Sequence, residues 1–234
     1  MTSNTFVSIP VSGSNMQAYV ATPEGQGPFP GIIVFQEAFG VNQHIREVTD
    51  RLAAAGYLAI APELFHRTAS PGLEIDYTDF PTVLPHLQST SPATLEADTR
   101  AAYDWLQKQT QVKKDKIACI GFCLGGRASF VANTALPLKA AVSFYGGGIA
   151  PEIIKNAKSL HAPQLFFWGG LDKHIPSEQI DIVINTLKAE NKPHINVVIS
   201  DADHGFFCNY KPAYNAQAAS EAWAMTLAFL KNKV

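Results

Sequence analysis

The 234-residue sequence lacks several features that would indicate particular classes of protein. It has only three cysteines, an odd number without paired spacing, which argues against a disulfide framework and suits a reducing compartment. The 18 Lys and Arg residues do not exceed the 20 Asp and Glu residues, so no positive field attracts nucleic acid or an anionic membrane. No apolar run approaches the ~20 residues that span a bilayer, and residues 1–10 do not have the pattern of a signal peptide.

These absences favour a cytoplasmic, globular protein that binds neither nucleic acid nor a membrane. Hydrophobic residues make up 47% of the chain and charged residues 16%, a composition that can bury a substantial core. The sequence contains no repeat, low-complexity tract or linker, so we predict a single domain over residues 1–234. We also expect the protein to act as a monomer.

Short apolar runs alternate with segments of helical periodicity. Strands are predicted at 16–22 (at a sheet edge), 31–36, 57–61, 116–120, 139–144, 164–168 and 195–200. Helices are predicted at 43–55, 94–109, 127–135, 177–190 and 212–230. The segment 63–92 contains four prolines and is predicted to be a loop or lid. This order predicts an α/β fold, a mostly parallel twisted sheet with helices on both faces, whose active site lies beyond the carboxyl ends of the strands.

One glycine-rich turn is predicted to carry a nucleophile. Gly121-Phe122-Cys123-Leu124-Gly125-Gly126 joins a predicted strand to a predicted helix, which is the pattern of a nucleophile elbow with cysteine in place of serine. The glycines allow a tight turn that side chains would obstruct, and the helix directs its N-terminal dipole at Cys123. The alternative is a buried structural cysteine, because a free cysteine behaves as a small hydrophobe.

Two further candidates follow later strands in the chain. Asp172 comes after one predicted strand and His204 after the next, so the order is nucleophile, acid, histidine, as in an α/β-hydrolase triad. In this hypothesis Cys123 attacks an acyl carbon, His204 transfers the proton, and Asp172 holds the imidazole tautomer. The rival candidates are polar residues of the same loops, namely Asp201, Asp203 and His174.

The loop after the first buried strand supplies a second set of candidates. The backbone N–H of Ala38, together with that of Leu124, could form an oxyanion hole. Glu37 is an acidic residue next to this predicted oxyanion hole, which would itself hold a negative charge. It could be an ordinary carboxylate near a helix, or it could lie near Cys123 and control the protonation of the thiol.

Four motifs together resemble the dienelactone hydrolase family over nearly the whole chain. They are Gln36-Glu37-x-Phe39-Gly40-Val41-Asn42, Gly-x-Cys123-x-Gly-Gly, Gly-Gly-x-Asp172 and Asp203-His204-Gly205-Phe206. The resemblance implies an α/β-hydrolase fold of eight strands, a Cys-His-Asp triad and hydrolysis of enol-lactones such as dienelactone (carboxymethylenebutenolidase activity). It also implies that Glu37 interacts with the resting thiol and helps to generate the thiolate when substrate binds.

The sequence departs from this family at the positions that recognise substrate. Known members bind the substrate carboxylate with two arginines, one in the lid and one four residues after the catalytic histidine, where this chain has Cys208. Arg67 or Arg127 could replace them, although Arg127 could equally be a charge on the helix surface. The residues predicted to contact substrate come from loops beside the motifs: Gln36, Arg67, Tyr145 and Phe206.

The combined hypothesis is a hydrolase of lactones or small carboxylic esters that acts on a small molecule through an acyl-thioenzyme. The cysteines and histidines lack the paired spacing of a zinc site, so neither a metal nor a cofactor is predicted. Two alternatives stay open. One is a catalytically silent binding protein with the same fold, and the other is a redox-active protein that pairs Cys123 with Cys208.

Overall fold

The computed structural model describes residues 2–234, which form one eight-stranded sheet flanked by helices. The strands are β1 (Ser3–Val11), β2 (Ser14–Thr22), β3 (Phe29–Phe35), β4 (Leu58–Pro62), β5 (Val112–Phe122), β6 (Ala140–Phe144), β7 (Gln164–Gly169) and β8 (His194–Ile199). The helices are α1 (Gln43–Ala54), α2 (Phe80–Ser89), α3 (Pro92–Lys108), α4 (Leu124–Ala135), a 3₁₀ helix (Ile153–Ser159), α5 (Ser177–Ala189) and α6 (Ala216–Lys231).

The strand order across the sheet is β1-β2-β4-β3-β5-β6-β7-β8. The β1–β2 and β2–β4 pairs are antiparallel, and all other neighbours are parallel. Every residue of β4, β6 and β7 is buried, because both faces of the sheet are covered there. Such strands need consecutive apolar residues, which is why apolar runs predicted them. The prediction of a mostly parallel α/β sheet is confirmed.

The sheet edge differs from the prediction. The strand predicted at 16–22 was expected at the edge, but β1 pairs outside β2 and occupies that position. Ser12 and Gly13 both have positive φ, as a two-residue hairpin turn requires, and they connect the two strands. Most side chains of β1 are exposed, so the strand has no continuous apolar run that would have predicted it.

The segment predicted to be an irregular lid contains a helix. Asp79 caps α2 by accepting the Thr82 N–H, and a proline in the first turn is compatible with a helix because the N–H there is unpaired in any case. Pro85 lies inside the same helix. The loop predicted from the four prolines of 63–92 therefore contains a ten-residue helix that the prediction missed. Three other helices also start at residues other than those predicted: α3 begins at Pro92, α4 directly after Cys123, and α6 after the Asn215 cap.

The buried apolar side chains form one large cluster and one small one. The small cluster consists of Ala38, Phe39, Ile75 and Val83, so it joins the loop after β3 to the segment that leads into α2 and to α2 itself. This packing holds segment 63–89 over the loop that carries Glu37. One large core accords with a single domain, which stays a prediction. Within residues 2–234, no helix has both the length and the apolar character needed to cross a membrane.

Candidate active site

The turn between β5 and α4 holds Cys123 in a strained backbone conformation. Its φ of 54° and ψ of -113° lie outside the regions that L residues favour, at a cost of roughly 1–3 kcal/mol. The Cys123 N–H donates to the Phe144 carbonyl at 3.0 Å, which ties the turn to the end of β6. A Cβ on Gly121 or Gly125 would overlap a backbone carbonyl oxygen, so this close turn requires glycine at both positions.

Asp172 and His204 form a hydrogen-bonded pair beside this turn. The distance from His204 Nδ1 to Asp172 Oδ2 is 2.7 Å. The other carboxylate oxygen accepts the backbone N–H groups of His174 at 2.8 Å and Ile175 at 3.2 Å. Both oxygens are engaged, so the carboxylate holds the imidazole in one orientation. His204 is also close enough to Cys123 for the thiol to influence the ionisation of the imidazole.

The pKa shifts of the pair reflect this arrangement. Burial opposes ionisation of Asp172, but hydrogen bonds from His204 and from two backbone N–H groups hold the pKa of the carboxyl below its ordinary value. Burial also opposes a charge on His204. The hydrogen bond with Asp172 and the interaction with Cys123 outweigh burial and raise the pKa of the imidazole to about 10. The carboxylate thus favours the imidazolium that a proton-transferring histidine must form during acyl transfer.

The rival candidates of the same loops have different contacts. Asp203 accepts the backbone N–H of His204 at 2.6 Å, so it fixes the loop rather than the imidazole. Asp201 is exposed. The ring of His174 packs edge-on against that of His204, with centroids 5.3 Å apart. Of the three aspartates considered, Asp172 is the one whose carboxylate is hydrogen-bonded to the imidazole of His204.

Glu37 is paired with a lysine that the sequence analysis did not single out. Its Oε1 accepts from Lys211 Nζ at 2.9 Å, and the two side chains are only 1% and 12% exposed. The ammonium also lies 4.9 Å from the ring centre of Phe39 and 5.2 Å from that of Tyr77. Glu37 Oε2 is buried and has no hydrogen-bond partner within residues 2–234. A buried acid therefore lies in the site with its charge balanced by one cation.

Lys211 precedes α6, and no sequence motif links it to Glu37. The resemblance directed attention to the fourth residue after His204, which is Cys208, whereas the cation is seven residues after the histidine. Burial opposes a charge on Lys211, but the charges of Glu37 and Cys123 outweigh burial and raise the pKa of the ammonium. Because both charges act on it, Lys211 lies close to Cys123 as well as to Glu37.

Two of the predicted substrate-binding residues are engaged within the protein. The amide of Gln36 donates to the Glu37 carbonyl at 3.1 Å and accepts the Leu64 N–H at 3.0 Å, so it braces two loops. Arg67 forms a bidentate ion pair with Asp98 of α3, with N–O distances of 2.8 and 2.7 Å. Asp98 is 1% exposed. Arg67 would have to leave this partner before it could bind an anionic substrate.

The other two lie against His204. Tyr145 is fully buried, has a positive φ of 37°, and its ring centre is 5.1 Å from that of His204. Its hydroxyl has no hydrogen-bond partner within the described chain. Phe206, also fully buried, packs edge-on against Tyr145 at 5.4 Å. These two rings form an apolar wall beside the imidazole.

The proposed oxyanion donors are both at buried turns. Ala38 and Leu124 are each 4% exposed. Within residues 2–234, neither N–H donates to a carbonyl among the backbone hydrogen bonds of loops and caps. Leu124 opens α4, where backbone N–H groups have no partner inside the helix. Two unpaired donors near the elbow are compatible with a site for a developing negative charge.

The remaining cysteines are buried free thiols. Cys119 in β5 lies against Ser129, and Cys208 contacts the Tyr77 hydroxyl at 3.3 Å. In the described part of the chain, no group of three His, Cys, Asp or Glu residues is arranged to hold a metal ion.

Comparisons with known proteins identify the family. The profile of the "Dienelactone hydrolase family" matches residues 16–234. The chain is 38% identical to a protein of Escherichia coli (strain K12) named "Putative carboxymethylenebutenolidase", over 97% of this chain and 86% of that protein. A Synechocystis protein of the same name is 36% identical, over 94% of this chain and 92% of that protein.

A solved structure leads to the same family. The crystal structure named "Putative Dienelactone Hydrolase" from Klebsiella pneumoniae superposes with a TM-score of 0.91 at 34% sequence identity, over 99% of both chains. The sheet order, the elbow and the family profile agree. The chain therefore belongs to the dienelactone hydrolase family, a family of lactone and ester hydrolases with the α/β-hydrolase fold.

Proposed function

We propose that this protein hydrolyses lactones or small carboxylic esters with Cys123 as the nucleophile. The observation that carries the proposal is the hydrogen bond between Asp172 and His204, whose imidazole also interacts with Cys123 on its strained elbow. This arrangement supports a nucleophile, a proton-transferring base and an orienting acid, the three roles that acyl transfer requires.

The reaction has two steps. His204 takes the proton of the Cys123 thiol as the sulfur attacks the acyl carbon, a C–S bond forms, the ester C–O bond breaks, and the leaving oxygen takes that proton from His204. Water then attacks the thioester, His204 accepts its proton, the C–S bond breaks, and the acid is released. The N–H groups of Ala38 and Leu124 would stabilise the oxyanion in both steps. This acyl-thioenzyme route needs no cofactor.

We assign Glu37 an electrostatic part in this reaction. An uncompensated carboxylate near Cys123 would oppose thiolate formation. Its ion pair with Lys211 removes most of that repulsion, since the two charges are 2.9 Å apart and shielded from water. The family resemblance implies that Glu37 contacts the resting thiol. An exchange of Glu37 between Cys123 and Lys211 would couple activation of the nucleophile to substrate binding.

We also propose that the protein acts as a monomer in the cytoplasm, where a reducing environment keeps the Cys123 thiol available. Sedimentation of the purified protein would test the oligomeric state, and cell fractionation would test the location. A dimer at micromolar concentration, or recovery outside the cytoplasm, would contradict this part of the proposal.

The test of the nucleophile compares the wild type with Cys123→Ala. We expect Cys123→Ala to lose at least about 1000-fold in kcat for 4-nitrophenyl pentanoate or dienelactone, because removal of a triad member typically costs several orders of magnitude. Cys119→Ala is the matched control, because this thiol is buried in the strand that leads to the elbow.

Mass spectrometry of the wild type during turnover of a slow ester should show an acyl group on Cys123. Full activity of Cys123→Ala would overturn the assignment. An equal loss of kcat in a correctly folded Cys119→Ala variant would also overturn it. Preference for the neutral ester over the dienelactone would indicate a substrate other than dienelactone.

A further inference from the structure

Arg127 lies one helical turn beyond the nucleophile. It is the fourth residue after Cys123 and sits on α4, so the two residues are on the same side of the helix N-terminus. A Cβ on Gly148 would come within 3.2 Å of Arg127 Nη1, so the guanidinium packs directly over that glycine. Arg127 is therefore partly enclosed between the elbow and the loop after β6, rather than on an open helix surface.

The guanidinium is poorly satisfied in this enclosure. Arg127 Nη2 donates to the hydroxyl of Thr90, at the end of α2, over a long 3.3 Å. Nε is buried and has no hydrogen-bond partner within residues 2–234, and no carboxylate of those residues lies within 4.0 Å of the side chain. Guanidinium groups that are partly removed from water are normally paired with a carboxylate or phosphate.

Arg67, the other arginine considered for substrate binding, and Lys211 already have anionic partners. Arg67 forms two short hydrogen bonds with Asp98, and Lys211 is paired with Glu37. Of these three basic side chains, Arg127 alone has no anionic partner. It is also close enough to Cys123 for their charges to interact.

We propose that Arg127 is the anion receptor of this site, and that it binds the carboxylate of an ester or lactone whose acyl carbon is attacked by Cys123. The proposal rests on the proposed hydrolase function and specifies its substrate as an organic acid with one carboxylate a few carbons from the scissile bond. A planar guanidinium offers two parallel N–H donors to such a group. The absence of a side chain at Gly148 lets the guanidinium pack against that residue, and the Thr90 hydroxyl joins the receptor to the end of α2.

The test uses a matched pair of substrates. 4-Nitrophenyl pentanoate and 4-nitrophenyl hydrogen glutarate have acyl chains of equal length that end in a methyl group and a carboxylate, respectively. The measured quantity is the ratio of kcat/KM for glutarate to that for pentanoate, after subtraction of spontaneous hydrolysis. Arg127→Gln should lower this ratio about 10- to 100-fold, as expected when a charge-assisted hydrogen-bond pair is lost. Arg127→Lys should lower this ratio less, because lysine keeps the positive charge although it lacks the two parallel N–H donors of the guanidinium.

The control is Arg100→Gln, an exposed arginine of α3 paired with Glu96, which should leave the ratio unchanged. An unchanged ratio in Arg127→Gln, or an equal fall in Arg100→Gln, would overturn the proposal. Thermal unfolding of each variant identifies any that fail to fold, and Arg127→Lys then supplies the comparison. Loss of pentanoate cleavage in Cys123→Ala tests the hydrolase function separately, so the two proposals fail independently.

Discussion

Replacement of Lys211 by Met should destabilise the fold, because it leaves the Glu37 carboxylate buried without a counter-charge. Glu37 is 1% exposed, its Oε2 has no partner within the described chain, and Lys211 supplies the hydrogen bond to Oε1 at 2.9 Å. Removal of one member of a buried ion pair typically costs about 3–5 kcal/mol. Methionine keeps the apolar stem against Phe39 and Tyr77, so the loss is mainly electrostatic.

The assay is urea unfolding followed by tryptophan fluorescence. With a slope of about 2 kcal/mol per M, the expected loss lowers the urea midpoint by about 1.5–2.5 M. Lys155→Met is the control, since Lys155 is an exposed lysine outside the site. The double variant Glu37→Gln with Lys211→Met should recover much of the stability, because it removes the unpaired charge as well.

The penalty should also shrink as the pH falls, since protonation of the unpaired carboxylate would neutralise it. A midpoint for Lys211→Met within about 0.3 M of that for Lys155→Met, given this slope, would refute the reasoning. A double variant no more stable than Lys211→Met would do the same, because the loss would then come from packing and not from the buried charge.

Two further predictions concern the residues around the imidazole. Tyr145→Phe should be as stable as the wild type or up to about 2 kcal/mol more stable in urea unfolding, because its buried hydroxyl has no partner within residues 2–234; a clear loss of stability would show that the hydroxyl has a partner. The second is the pH dependence of Asp172→Asn. His204, whose pKa is raised to about 10, contributes stability below its ordinary pKa of 6.5 that is lost as the pH rises towards 10. Asp172, whose pKa is lowered, contributes stability above 3.8 that is lost as the pH falls through its depressed pKa. The difference in unfolding free energy between the wild type and Asp172→Asn should therefore be largest between about pH 4 and 6.5 and should decline on either side, and a difference independent of pH would contradict the pair.

The elements that the sequence predicted well are those with a local signature. The buried strands at the centre of the sheet have consecutive apolar residues, and glycines mark the elbow at Cys123 because side chains there would overlap backbone atoms. The elements that it missed have mixed signals. Strand β1 is mostly exposed, and the prolines of α2 usually indicate a loop although one of them lies in its first turn.

The candidate site divides in the same way. Cys123, Asp172 and His204 were predicted from their order and from their positions after strands, because parallel strands bring their carboxyl ends to one edge of a sheet. The partners of the charged residues were not predicted. Arg67 was a candidate for substrate binding, but the structure pairs it with Asp98, 31 residues away in the chain.

The amino-acid sequence by itself determined the family, the α/β order and the chemical types of the candidate triad, because each of these can be recognised from residue types at short spacings along the chain. Only the tertiary structure decided which charges are neutralised. Glu37 and Lys211 are 174 residues apart in the chain, and their pairing depends on how the loop before α6 packs over the loop after β3. The tertiary structure also leaves the guanidinium of Arg127 without an anionic partner in residues 2–234, because ion pairing requires two side chains to meet within about 4 Å.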